Sequence, residues 1–260
     1  MQTVSNTPDQ AFLRLLEIMN ELREKCPWDK VQTWESLRHL TIEETYELSD
    51  AILDNNIAEI KKELGDVLLH IVFYAKIGSE HLHFDITEVI NLVCEKLIFR
   101  HPHVFGNTVV ENAQTVKQNW EKRKLQEKDS NQSMLSGVPN SLPALIKAWR
   151  IQQKAQGVGF DWENKDQVFE KIQEEIAEFH QATDELKKEE EFGDLLFSLV
   201  NYARFIDIEP ETALEKANRK FIRRFQTMEK MILADHKSLQ NLSLSEMDYY
   251  WNQIKKGEQK

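Results

Sequence analysis

The chain has 260 residues, and 33 Lys and Arg against 44 Asp and Glu leave it with a net charge of −11. Eight Gly and six Pro are too few for a turn-rich β protein, and two cysteines, Cys26 and Cys94, are too few for a disulfide scaffold or a thiolate zinc site. The chain is acidic without a basic block, and no apolar run approaches the ~18–20 residues that span a bilayer, so a cytoplasmic protein with neither nucleic acid nor membrane as partner is expected.

In chain order, the opening MQTVSNTPDQ has no basic segment followed by an apolar stretch, so no secretory signal is expected. Pro27-Trp28-Asp29 reads as part of an opening loop. Ile42-Glu43-Glu44-Thr45-Tyr46-Glu47 then reads as helix, with Glu44 and Glu47 on adjacent turns of one face. From Glu63 the run ELGDVLLHIVFYAKI sets Leu64, Val67, Leu68, Ile71, Val72 and Ala75 at the spacing of one buried helical face. Glu63 and Asp66 repeat the three-residue acidic spacing. Lys96 and Arg100 follow, then Trp120 and Lys124. Gln126 to Pro143, polar and punctuated by Gly137, Pro139 and Pro143, reads as a linker.

The second half repeats the first. EFGDLLFSLVNYARF from Glu191 carries the same stripe at Phe192, Leu195, Leu196, Leu199, Val200 and Ala203, an offset of 191 − 63 = 128. Gln173 to Glu178 matches Ile42 to Glu47 in its acidic positions at 175 − 44 = 131. Gly159-Phe160-Asp161 resembles Pro27-Trp28-Asp29, Lys220 to Arg224 pairs with Lys96 to Arg100, and Trp251…Lys255 pairs with Trp120…Lys124. Duplication is the simplest account. The expectation is an all-α chain of two homologous helical-bundle domains, 1–125 and 143–260, joined by a linker at 126–142.

If the acid-bearing helices of each half pack antiparallel, four carboxylates converge: Glu44, Glu47, Glu63 and Asp66 in the first half, Glu175, Glu178, Glu191 and Asp194 in the second. Clustered carboxylates repel unless a cation neutralises them, and a hard divalent ion with oxygen ligands suits them. Di-iron carboxylate bundles use Glu-x-x-His pairs, which are missing here, so Mg²⁺, or Mn²⁺ in its place, is favoured over iron. Mg²⁺ commonly shares carboxylates with substrate phosphates. No Walker motif or Gly-rich phosphate loop is present, so side chains must hold the phosphates. Lys171, Lys187, Lys188, Lys220 and Arg224 are the candidates, with Trp251 as a core residue or a platform for a base.

Glu-Glu-x-x-Glu followed by Glu-x-x-Asp, present twice, resembles the MazG family of nucleoside triphosphate pyrophosphohydrolases. Cys26-Pro27-Trp28-Asp29-Lys30, Glu63-Leu64-Gly65-Asp66 and Arg100-His101-Pro102-His103-Val104-Phe105 resemble its N-terminal domain; Val158-Gly159-Phe160-Asp161-Trp162 and Lys216-Ala217-Asn218 resemble its C-terminal domain. The resemblance implies a homodimer of tandem all-α domains. It also implies Mg²⁺-dependent hydrolysis of nucleoside triphosphates between the α- and β-phosphates, with a role in nucleotide-pool housecleaning. The main activity is implied for the C-terminal domain, with metal ligands Glu175, Glu178, Glu191 and Asp194 and a second, weaker quartet at Glu44, Glu47, Glu63 and Asp66. Nucleotide contacts then fall on the Lys171 region, Lys187, Lys188, Glu189, Glu190, Asp194, Lys220, Arg223, Arg224 and Trp251. Glu174 is the candidate to position the attacking water, and Lys220 and Arg224 to stabilise the leaving group.

Three rival readings remain open in the sequence: a helical scaffold with acidic faces, a di-iron oxidase, and a regulatory protein that binds nucleotides without hydrolysing them. The halves are also expected to be unequal. Lys171 aligns with Leu40, and Pro102 closely follows Arg100, whereas the helix carrying Arg224 runs on through Phe225, Met228 and Ile232.

Overall fold

The computed structural model describes residues 7–110, 112, 115–116, 120, 123 and 133–258. Residues 126–132 of the expected linker and Lys124 lie outside the described residues. The chain divides into two compact units, Met1–Asn112 and Ala113–Lys260, a division ahead of the boundary expected at 125/126. All regular structure among the described residues is helical.

The first unit contains α1 (Pro8–Lys25), α2 (Pro27–Lys30), α3 (Trp34–Leu53), α4 (Ile57–Glu80), α5 (Ile86–Arg100) and α6 (Pro102–Phe105). Local chemistry sets the starts. Thr33 and Ser36 cap each other across the first turn of α3, Asn56 caps α4, and Asp85 and Glu88 form a capping box on α5. The short connection 54–56 folds α3 and α4 into a hairpin, against which α1 packs. Met19 from α1, Leu37 from α3 and Val72, Phe73 and Ile77 from α4 form one buried cluster. Arg23 ties α1 to its surroundings: it donates to the carbonyls of Asp29 and Gln32, pairs with Glu80, and lies 5.5 Å over the Phe73 ring.

The second unit contains α7 (Ala144–Gly157), α8 (Lys165–Gln181), α9 (Glu185–Phe205), α10 (Pro210–Ala234) and α11 (Leu244–Gly257). Asn164 caps α8, Asp184 caps α9, and Ser243 with Glu246 boxes α11. The connection 182–184 makes α8 and α9 a second hairpin. Gln152 of α7 donates to the Phe197 carbonyl of α9 at 2.8 Å. Met228, Ile232 and Tyr250 close a core between α10 and α11, where Tyr250 donates to Asp235 at 2.6 Å.

Two expectations need correction. The opening of each half is a packed helix, α1 or α7, not merely a loop; Phe12, Leu15, Leu16 and Met19 at helical spacing were the available signal. The apolar stripes are also not wholly buried. Val72, Ala75 and Val200 are core, but Leu64, Leu68, Ile71, Phe192, Leu196 and Leu199 are exposed. Periodicity reveals an apolar face and cannot reveal whether the same chain supplies the element that covers it.

The proline argument holds in the structure. α5 ends at Arg100, and Pro102 begins a new helix, because proline has no N–H to continue the ladder. α10 continues unbroken to Ala234.

Leu37 is 1% exposed at the centre of the first unit's core. Leu37→Ala should therefore cost about 2–5 kcal/mol, through lost transfer energy and a residual cavity. Urea unfolding followed by far-UV circular dichroism checks this, and an unchanged first-unit midpoint would contradict it.

Candidate active site

In the second unit the α8–α9 hairpin brings together Glu175, Glu178 and Glu191, each supplying a carboxylate oxygen within 4.8 Å of the other two. In the first unit the α3–α4 hairpin does the same with Glu44, Glu63 and Asp66. Glu175 and Glu191 are buried and Glu178 is exposed; Glu63 is buried, with Glu44 and Asp66 half-buried. Each hairpin therefore gathers three of its four expected acids. Asp194 and Glu47 lie outside these groups, and both are exposed.

The two hairpins also differ in register. From the second Glu of the first pair to the Glu of the next pair, the first hairpin spans 63 − 47 = 16 residues and the second 191 − 178 = 13. Both turns are equally short, so the difference lies in helix length. Counted from the turn, Glu63 is level with Glu47 and Asp66 with Glu44, whereas Glu191 is level with Glu175, and Glu178 lies one turn nearer the loop. Three residues of helix are about 4.5 Å of rise. Alongside this slip, the first trio includes Asp66 and the second Glu178.

Lysines border both trios. Lys171 Nζ is 2.8 Å from Glu175 and 3.0 Å from Glu174, and these hydrogen bonds hold its ammonium well above the ordinary lysine range. Lys187 Nζ is 3.9 Å from Glu191, and Lys188 pairs with Glu185. In the first unit Lys62 Nζ is 2.7 Å from Glu63 Oε1, while Glu63 Oε2 is buried without a hydrogen-bond partner. Desolvation raises the Glu44 carboxyl, and the charges of Asp66, Glu47 and Glu63 raise it further. Desolvation likewise raises Glu191, with Glu178 next in effect and Lys187 acting against both.

The remaining candidates form a different group. Arg223 and Arg224 both pair with Glu258, at 2.9 and 2.6 Å. The Arg224 guanidinium lies 6.0 Å from the Trp251 ring, which packs 5.2 Å from Phe221. Glu258 was missed in the sequence, because one acid near the C-terminal end carries no spacing signal. Lys220 is exposed on α10, and Glu174, Glu189 and Glu190 are exposed on α8 and α9. His70 is a core residue whose Nδ1 lies 2.9 Å from Thr41 Oγ1, which in turn meets the Tyr74 hydroxyl at 2.6 Å.

The trios fit a hard divalent cation. All donors are carboxylate oxygens, the ligand type that Mg²⁺ takes, and in each trio they lie within 4.8 Å of one another. Glu63 Oε2, buried and unpartnered, is a ready ligand atom.

The family description "MazG nucleotide pyrophosphohydrolase domain" matches residues 32–105. A curated protein of Thermotoga maritima, named nucleoside triphosphate pyrophosphohydrolase/pyrophosphatase MazG, is 49% identical over 95% of this chain and 97% of its own length. The nucleoside triphosphate pyrophosphohydrolase of Escherichia coli K12 is 42% identical over 94% of this chain and 97% of its own. The chain belongs to the MazG family. A crystal structure of a mazG-related protein from Thermotoga maritima matches with 28% identity over 44% of this chain and 98% of its own, with a TM-score of 0.39.

A pH dependence follows from the raised carboxyls. Their folded pKa values exceed the ordinary 4.5, so the folded state holds their protons more tightly. The associated stability is present below the ordinary value and is lost as pH rises through the raised values. A divalent cation can offset only ionised carboxylates. Mg²⁺ should therefore raise Tm more at about pH 7.5 than at about pH 4.5, measured by differential scanning fluorimetry. Equal shifts at the two pH values would argue against carboxylate ligation.

Proposed function

We propose that the chain is a Mg²⁺-dependent pyrophosphohydrolase of nucleoside triphosphates. It would convert NTP or dNTP and water to the monophosphate and pyrophosphate, as nucleotide-pool housecleaning. The observation that carries this reading is the Glu175–Glu178–Glu191 trio bordered by Lys171 and Lys187. The two relatives matched along nearly their whole length are named for the same chemistry, which supports this reading.

Glu175, Glu178 and Glu191, with Asp194 one turn on, would hold the cation; Mg²⁺, or Mn²⁺ in its place, supplies charge neutralisation for the phosphate oxygens when bound. Lys171 and Lys187 reach the trio from its rim, Lys171 by hydrogen bonds and Lys187 by a longer ion pair, and both ammonium groups can turn to a phosphate. Glu174, which shares Lys171 with Glu175, orients a water and takes its proton as the oxygen attacks the α-phosphorus. Lys220 and Arg224 stabilise the pyrophosphate that leaves. Lys188, Glu189, Glu190, Arg223 and Trp251 complete the nucleotide contacts.

A homodimer is part of this reading. Phe192, Leu196 and Leu199 on α9, and Leu64, Leu68 and Ile71 on α4, present exposed apolar faces that a second copy would cover. Light scattering should give twice the chain mass, and a monomer at micromolar concentration would overturn this part.

Chromatography of the products from ATP tests the reaction. AMP with pyrophosphate is expected, and ADP with orthophosphate would contradict it. The same assay tests the inequality of the two units. Glu178→Gln with Glu191→Gln should lower the rate at least about 10²-fold, because lost ligands remove cation-borne charge stabilisation. Glu44→Gln with Asp66→Asn should leave most hydrolysis intact, since Lys171 has no counterpart at Leu40. Activity that follows the first trio would reverse the assignment.

A further inference from the structure

The second unit holds a cavity of about 500 Å³ between α7 and α9, lined on α9 by Phe197, Asn201 and Arg204. Its aromatic walls are Phe160, Trp162 and Phe197; Ala155, Asn201 and Gln152 line the rest that matters here. Gln152 is only 6% exposed. Its Nε2 is committed to the Phe197 carbonyl at 2.8 Å, which fixes the amide's orientation and leaves Oε1 as the acceptor. That Oε1 is buried without a hydrogen-bond partner. An orphaned acceptor costs about 1–3 kcal/mol in a core, so the fold tolerates a defect that a donor would remove.

The internal repeat supplies a control. Ala155 corresponds to Arg23, from 155 − 132 = 23, the offset that pairs Asp161 with Asp29. Asn201 corresponds to Phe73, from 201 − 128 = 73. In the first unit those two side chains pack together between α1 and α4: Phe73 is 4% exposed, and Arg23 lies over its ring while bonding to Asp29, Gln32 and Glu80. Along that helix pair only a smaller cavity of about 120 Å³ remains, beside Asn20, Val72 and Lys76. The second unit has small and polar residues at the same two positions, and the space stays open.

The lining chemistry narrows the occupant. The two charges at the cavity, Asp161 and Arg204, pair with each other, with Arg204 Nη1 2.9 Å from Asp161 Oδ2. Neither calls for a charged ligand, so a phosphate is a poor fit. Aromatic walls suit a flat ring, Gln152 Oε1 suits an N–H donor, and the Asn201 amide can serve a neighbouring donor or acceptor. Lys154, 4% exposed, donates to the carbonyls of Met134 and Ser136 and so holds Leu135 as a further apolar wall.

We propose that this cavity is a nucleobase site, which binds a neutral heteroaromatic ring through stacking and an N–H donated to Gln152 Oε1. The ring has two sources, the base of a nucleotide substrate or a separate nucleoside. Binding does not require hydrolysis, so the site stands or falls apart from the pyrophosphohydrolase reading.

Isothermal titration calorimetry of the full chain with adenosine and cytidine, without Mg²⁺, tests it. At least one should bind saturably. Gln152→Leu should weaken binding about tenfold or more, as expected for a lost hydrogen bond to a buried acceptor. Ala155→Arg with Asn201→Phe, which transplants the first unit's filling, should abolish it. Trp162→Ala provides a surface-side variant should the double substitution fail to fold, and it should weaken binding comparably. No binding at millimolar nucleoside, or equal binding by the wild type, Gln152→Leu and Trp162→Ala, would overturn the proposal. Repeating the titration with a saturating non-hydrolysable triphosphate separates the sources. Loss of nucleoside binding identifies the substrate's own base, and persistent binding identifies a separate nucleoside.

Discussion

Carboxylates held a few ångströms apart on facing helices repel, and burial strengthens the repulsion. In both units the tightest helix pair is the one that carries this burden. Neighbouring lysines offset part of it: Lys62 against Glu63, and Lys171 and Lys187 against Glu175 and Glu191. The rest of each unit keeps the pair together in spite of the charge. Caps fix where the helices begin, Met19 and Leu37 fill the gap beside the first pair, and Gln152 ties α7 to the second. A fold chosen for stability alone would place apolar residues here.

The duplicated halves have diverged by small steps with geometric effects. Three residues of helix shift one acid pair by a turn along its partner, and the two trios draw on different members of their quartets. Two differences in the helix-to-helix seam, Arg23 to Ala155 and Phe73 to Asn201 across the repeat, accompany a cavity of about 120 Å³ in the first unit and about 500 Å³ in the second. Pro102 stops α5, whereas α10 extends and meets α11 around Arg224, Trp251 and Glu258. One architecture thus presents two differently equipped surfaces.

Much of this was legible in the sequence. The all-α class, the internal repeat, the acidic pairs and the break at Pro102 follow from spacing, which helical geometry turns directly into shared faces. The choice of three acids from each four was not legible, because spacing puts all four on facing helices and does not fix which side chains turn towards one another. The seam was also hidden. Ala155 and Asn201 are unremarked residues singly, and only their meeting across two helices opens a cavity. The exposed Leu196 and Phe192 were read as core because periodicity carries no information about a covering partner.

The brevity of the α3–α4 and α8–α9 turns bears on how a tandem repeat avoids confusing its own parts. Since the two hairpins are homologous, α3 has in α9 a surface resembling its proper partner, and α8 has the same in α4. A crossed pairing of α3 with α9 must close a loop of roughly 130 residues, where the correct pairing closes one of three. By loop-closure entropy that difference is about 3 kcal/mol against the crossed form. Contacts so local also form early. Each hairpin therefore tends to be complete before its twin is near enough to compete, and proximity along the chain protects the duplicated protein from exchanging its own helices.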